Sequence, residues 1–222
     1  KLLLSPGIDF RWGAIEGYDE EASLLAPHAW KAGEQTLILR KQLEAMPDNG
    51  KFVMVVPEGA FRCPPGPYER ASMVAHYLKH HKPKAKLIIL DAQDNFSKQG
   101  LFEQGWNTFY SDIIERIPLS LGGKVTRIDA KALEAETEFG DIVKADVLNV
   151  IPPQQAGLIA HEAGVANETL WVPIQANTFE SQLVKDIYVV GDATIAAPMP
   201  KSGFSANTQA KVAAAAIVAS LA

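Results

Sequence analysis

The sequence predicts an α/β fold: a doubly wound, Rossmann-like unit with a parallel sheet, accompanied by a β-meander. Three observations carry this. An apolar run, Phe52-Val53-Met54-Val55-Val56, precedes helical periodicity over 67–81 and a second apolar run, Lys86-Leu87-Ile88-Ile89-Leu90-Asp91. Strand, helix and strand in about 40 residues make a βαβ unit, which implies a parallel pair joined by a right-handed crossover. Between Lys124 and Val150 the pattern changes to short alternating runs, as half-buried antiparallel strands require. Towards the end, Ile187-Tyr188-Val189-Val190 reads as a strand, followed by the turn Gly191-Asp192-Ala193, a polar loop and an Ala-rich helix.

Taken in order, Leu2-Leu3-Leu4 is an opening strand ended by Ser5-Pro6-Gly7. Residues 11–30 lack periodicity and read as an irregular connector. Apolar positions Ala32, Leu37, Leu39, Leu43 and Met46 predict an amphipathic helix over 31–46, stopped by Pro47-Asp48-Asn49-Gly50. The βαβ unit follows, then a helix over about 97–110 and a short strand over 113–117. Val125-Thr126-Arg127-Ile128 and Glu136-Thr137-Glu138-Phe139, the latter before a Gly140-Asp141 turn, predict the hairpin. A buried strand from Ala145 to Ile151 ends at Pro152-Pro153. A short helix over 156–163, an irregular stretch around Trp171-Val172-Pro173 and a terminal helix from about Ala206 complete the chain. It opens on a strand without Met and stops inside a helix, so it reads as a piece of a longer protein.

Composition narrows the classes of function. With 222 residues, 47% apolar and 21% charged, the chain is an ordinary globular one. A net charge of −5 and the lack of any Lys/Arg run argue against a nucleic-acid surface. The longest apolar stretch, Val212 to Ala222, is too short for a membrane span. One cysteine cannot make an internal disulfide.

That cysteine, Cys63, lies in Phe61-Arg62-Cys63-Pro64-Pro65-Gly66-Pro67-Tyr68-Glu69, between the first strand and helix of the βαβ unit, where a ligand or catalytic group belongs. A nucleotide-binding turn carries glycines there so that backbone can approach a pyrophosphate. This turn carries prolines and a thiol instead. Arg62 and the following helix start would both lower a thiol pKa, although a lone cysteine is more often a small buried hydrophobe than a nucleophile. The second informative stretch is Gly191-Asp192-Ala193. A glycine ending a buried strand allows close approach, the carboxylate can accept hydrogen bonds from sugar hydroxyls, and the terminal helix presents its positive end, with Lys201 adding a cation. An ordinary turn is the plain alternative. His76 and His80 lie at helical i, i+4 spacing but lack a third ligand, and no metal site is expected. Asp91, placed where a ribose-binding acid sits in dinucleotide folds, reads here as a strand-end residue, because no Gly-rich turn precedes it.

Arg62-Cys63-Pro64-Pro65-Gly66-Pro67-Tyr68-Glu69-Arg70-Ala71, taken with Gly191-Asp192-Ala193 and Pro198-Met199-Pro200-Lys201-Ser202-Gly203, resembles the flavoprotein subunit of flavocytochrome c sulfide dehydrogenase, a relative of sulfide:quinone oxidoreductases and glutathione-reductase-like flavoproteins. The similarity continues through Ser5-Pro6-Gly7-Ile8, residues 27–36, Ile151-Pro152-Pro153-Gln154 and Thr178-Phe179-Glu180-Ser181. The resemblance implies a periplasmic enzyme that oxidises sulfide and passes electrons through FAD to a cytochrome c subunit. Cys63 would be the sulfur-handling nucleophile. Gly7, Gly191, Asp192, Ala193, Lys201, Ser202 and Gly203 would bind FAD, Asp192 near the ribityl-phosphate and Lys201 near the pyrimidine edge of the flavin. Residues 33–139 would form a second, NAD(P)-domain-like unit carrying Cys63, and 1–32 with 140–222 the back half of the FAD domain. Two departures stand out. The family's second cysteine aligns with Val172, and the Gly-rich half of the FAD domain is not in these residues, so this chain alone is expected to bind FAD weakly or not at all. An NADH-using disulfide-reductase-like flavoprotein and a non-catalytic paralogue that binds a redox partner are the competing readings.

Overall fold

The computed structural model describes Lys1–Leu221. In chain order its elements are β1 (Leu2–Leu4), β2 (Ile8–Phe10), α1 (Glu34–Ala45), β3 (Lys51–Val56), α2 (Gly66–His81), β4 (Lys86–Asp91), α3 (Gln99–Phe109), β5 (Ile114–Ile117), β6 (Val125–Asp129), β7 (Glu134–Thr137) and β8 (Ile142–Lys144). They continue with β9 (Val147–Val150), β10 (Gln154–Ala156), α4 (Leu158–Glu162), β11 (Val172–Pro173), β12 (Ile187–Val189), β13 (Thr194–Ile195) and α5 (Gly203–Leu221). The chain divides into two compact units, one of residues 12–59 and 65–153, the other of 1–11, 60–64 and 154–222.

The first of these units is built on a parallel sheet in the order β5-β4-β3-β9. Its central strands are almost wholly apolar: Phe52 to Val56 are all buried, as are Leu87, Ile89 and Leu90. A strand covered on both faces needs that continuous pattern. The edge strand β5 is less buried and carries two charged residues, Glu115 and Arg116, with Glu115 exposed. Helix α2 buries Tyr68, Ala71, Val74, Ala75 and Leu78, a stripe at helical spacing, and ends in Lys79-His80-His81, whose side chains suit the negative end of the helix. Asn149, buried in β9, is satisfied on both sides: its amide donates to the carbonyls of Pro27 (2.7 Å) and His28 (3.1 Å), and its oxygen accepts from Arg70 (3.1 Å). The antiparallel meander β6-β7-β8 turns Val125, Ile128 and Ala135 into one cluster with Val53, Val55, Leu90, Leu148 and Val150.

The other unit holds three strand pairs: β1 with β12 in parallel, β2 with β10 antiparallel, and β11 with β13 in parallel. Gly157 lets two segments meet closely here. A Cβ at that position would lie 2.5 Å from the Pro6 carbonyl oxygen, and its amide donates to the Gly7 carbonyl at 3.0 Å. Helix α5 begins three residues before its predicted start, because Ser202 caps it: the Ser202 hydroxyl accepts from the Ser205 amide at 3.3 Å.

The contact-defined units divide the chain differently from the predicted boundaries at 32/33 and 139/140. Strand β9 pairs with β3, Phe52 opposite Val147 and Val55 opposite Val150, which brings 140–153 into the parallel-sheet unit. Residues 60–64, with Cys63, belong to the other unit, through hydrogen bonds described below. Strands β10, β11 and β13 run through residues for which the sequence predicts no strand. Each is three residues or shorter, and pairing alone makes it a strand.

Candidate functional site

The end of β12 sets the site. Gly191 has φ +83°, a conformation that favours glycine, and its amide donates to Gln209 Oε1 on α5 at 2.7 Å. The Gly191 carbonyl accepts from both the amide (3.1 Å) and the hydroxyl (2.9 Å) of Thr194, closing a tight turn over Asp192 and Ala193. Asp192 is half-buried, and its Oδ1 is buried without a hydrogen-bond partner. Burial pushes its carboxyl above the usual range, while the charges of Arg62 and Lys201 oppose that shift.

Lys201 is the hub. Its ammonium donates to the carbonyls of Asp192 (2.7 Å) and Thr194 (2.9 Å) and lies 3.7 Å from the centre of the Trp171 ring. Burial lowers it to about 8, against the pull of Asp192. The Lys201 carbonyl accepts from the Cys63 amide at 2.8 Å. Cys63 itself has φ +59°, left-handed backbone that a residue with a Cβ adopts at a cost of about 1–2 kcal/mol. Next to it, the Arg62 amide donates to Gln154 Oε1 at 2.9 Å. Val172 is fully buried, its amide donating to the Ala193 carbonyl at 2.9 Å.

Hydrogen bonds therefore connect Cys63, Lys201, Asp192 and Thr194 into one constellation, with Ala193 between the last two in the chain and Ser202 and Gly203 at the start of α5 beside Lys201. Gly7 is outside this hydrogen-bonded set: its φ is +66° and its carbonyl accepts from Gly157. Gln154 and Trp171, which lie in stretches noted in the sequence but were not singled out as site residues, take part with Thr194 and Gln209. Their importance comes from contacts between residues far apart in the chain. The unpartnered Asp192 oxygen and the Lys201 ammonium fit a ligand with hydroxyl donors and a negative charge, as FAD has, with Gly191 bringing backbone close.

A second cluster lies at the carboxyl end of β4. Asp91, fully buried, accepts at Oδ2 from Tyr68 hydroxyl (2.9 Å) and Arg116 Nε (2.7 Å), and at Oδ1 from the Gln93 amide (3.1 Å). Phe96 stacks on Tyr68 with ring centres 3.5 Å apart, and Arg116 lies over Phe96. The strand-end residue is thus the centre of a closed network, and its carboxylate is already fully engaged. On α2, the His76 and His80 rings lie 4.3 Å apart, and His76 Nδ1 is 3.3 Å from the Tyr110 hydroxyl. Among the described residues no group of three or more His, Cys, Asp or Glu is placed to hold a metal, and no helix is long and apolar enough to cross a membrane.

The fold is shared with several solved reductases. Thioredoxin reductase from T. acidophilum matches with a TM-score of 0.64 at 13% identity, over 99% of this chain and 66% of that one. The ferredoxin reductase from Rhodopseudomonas palustris matches at 0.63 and 13%, over 96% and 50%. A NAD-dependent persulfide reductase from A. fulgidus matches at 0.61 and 18%, over 96% of this chain and 38% of its own. The chain thus spans between about a third and two thirds of the length of these relatives. Within that class, residues 36–152 match the family model of the central region of the sulfide dehydrogenase (flavocytochrome c) flavoprotein chain. The chain belongs to this flavoprotein family.

Proposed function

We propose that the protein carrying this chain is an FAD-dependent sulfide dehydrogenase that delivers electrons to a cytochrome c subunit. The observation that supports it best is the hydrogen bond from the Cys63 amide to the Lys201 carbonyl, which ties the only thiol to the loop that carries the buried cation. In this reading Cys63 is the sulfur nucleophile and the neighbouring Arg62 favours its thiolate. Joining hydrosulfide to Cys63 makes one S–S bond and releases one proton and two electrons. FAD, when bound, supplies a two-electron acceptor. Asp192 Oδ1 accepts from a cofactor hydroxyl, Gly191 and Ala193 admit its backbone-proximal part, and Lys201, with Ser202 and Gly203 at the start of α5, favours negative charge there. The reading includes a periplasmic location, which fractionation of the source cells would test.

The decisive experiment is sulfide-dependent reduction of cytochrome c by the protein expressed from its whole reading frame. Turnover that disappears on Cys63→Ala supports the reading; equal turnover in that variant rejects Cys63. One observation favours a second reading. Val172 stands where the family places its second cysteine, and its buried isopropyl group has no redox chemistry. A non-catalytic paralogue would bind the cytochrome without any sulfide-dependent reduction.

A further inference from the structure

At the residue before Cys63, one buried side chain uses only half of its hydrogen-bonding capacity. Gln154 is 4% exposed, and β10 holds its backbone opposite Phe10 of β2. Its Oε1 accepts from the Arg62 amide. A backbone N–H can only donate, so the oxygen must face Arg62 and the NH₂ must face away. That Nε2 is buried with no hydrogen-bond partner. An unmet buried donor is destabilising, a cost that Leu or Met at this position would avoid. A residue present only for packing would not carry that cost.

The next residue in the chain is Cys63, in its left-handed conformation. Holding it there carries a strain comparable in size with the net contribution of one hydrogen bond. A single bond roughly breaks even; two win. The two are present, from different parts of the unit: Lys201 holds the Cys63 amide at 2.8 Å and Gln154 holds the Arg62 amide at 2.9 Å. We propose that Gln154 is a positioning residue for Cys63, its carboxamide oxygen acting with the Lys201 carbonyl to lock the Arg62–Cys63 backbone and so aim the thiol. The inference rests on Cys63 being the sulfur-handling residue, but its test reads the turn itself.

The experiment compares wild-type protein with Gln154→Leu and Gln154→Glu, using amide hydrogen exchange resolved to single residues and alkylation of Cys63 by iodoacetamide across pH. In Gln154→Leu, exchange at both the Arg62 and Cys63 amides speeds up by about tenfold, as the loss of a locking hydrogen bond predicts, and the alkylation profile moves. Gln154→Glu keeps an acceptor facing Arg62 and restores protection of both amides. Faster exchange at Arg62 alone, with wild-type exchange and alkylation at Cys63, would overturn the proposal. Should the Leu variant fail to fold, Gln154→Asn, which withdraws the oxygen by one methylene, is judged by the same two outcomes. A turn that responds as expected in a protein without sulfide oxidation keeps the positioning role and removes only the functional reading.

Discussion

The Lys201 ammonium lies 3.7 Å from the centre of the Trp171 ring, while the carbonyl of the same lysine holds the Cys63 amide. One residue therefore connects the thiol, the aromatic face and the Gly191–Thr194 turn. Replacing Trp171 with Leu removes the ring from a partly desolvated cation, an interaction worth about 0.5–2 kcal/mol. The expected result is a loss of that size in urea unfolding, together with a further fall in the Lys201 pKa.

The pH dependence of stability follows from the same burial. Lys201 falls from its ordinary 10.5 to about 8 in the folded chain. Between those values the unfolded chain binds more protons than the folded one, so stability rises with pH across the window. The cost of the buried ammonium is complete below about 8 and is relieved above it. Lys201→Met should flatten this rise. Unfolding curves of the two proteins measured through the window check it, and parallel curves would show that Lys201 titrates as an exposed lysine.

Strain at Cys63 gives a prediction of opposite sign. At φ +59° the residue carries a Cβ that a glycine would lack. Cys63→Gly should stabilise the chain by about 1 kcal/mol while abolishing any sulfur chemistry. Cys63→Val, β-branched, should destabilise it. Thermal unfolding of the three proteins orders them, and equal midpoints for Gly and Val would deny the strain.

Asp91 illustrates how much of the molecule was legible from sequence. The βαβ unit from Lys51 to Asp91 was readable because continuous apolar strands and a helical stripe are local patterns, and the meander because alternation is one too. The network around Asp91 was not: Tyr68 and Arg116 are 23 and 25 residues away in the chain, and only the parallel pairing of β4 with β5 puts Arg116 beside it. For the same reason the motifs pointed to Cys63, Asp192 and Lys201, while the contacts of Gln154 and Trp171 emerged only from the fold. The network also carries a test. Arg116→Met leaves a buried carboxylate without its cation and should cost about 3–5 kcal/mol, with Asp91→Leu added to it recovering much of the loss. Because the Asp91 carboxylate is already engaged by Tyr68, Arg116 and Gln93, titration with NADH should produce no saturable change in the wild-type protein; a saturable signal would favour the pyridine-nucleotide reading.

Asp192 offers a test of the cofactor side that requires no turnover. Its Oδ1 is buried and unpartnered, and burial raises its pKa above the usual 3.8. For an acid shifted upward, the folded state resists ionisation, so the penalty is absent below the unfolded value and grows as pH rises through the folded one. At neutral pH, without flavin, Asp192→Asn should therefore be more stable than wild type, because the carboxamide removes the half-buried charge. That advantage should vanish towards low pH, where both side chains are neutral. In the whole protein loaded with FAD the order should reverse, because the cofactor stabilises only the state that binds it and the carboxylate then has its donor. Unfolding of both proteins with and without FAD measures all of these differences. An Asp192→Asn protein that keeps its advantage in the presence of FAD would remove Asp192 from the flavin site.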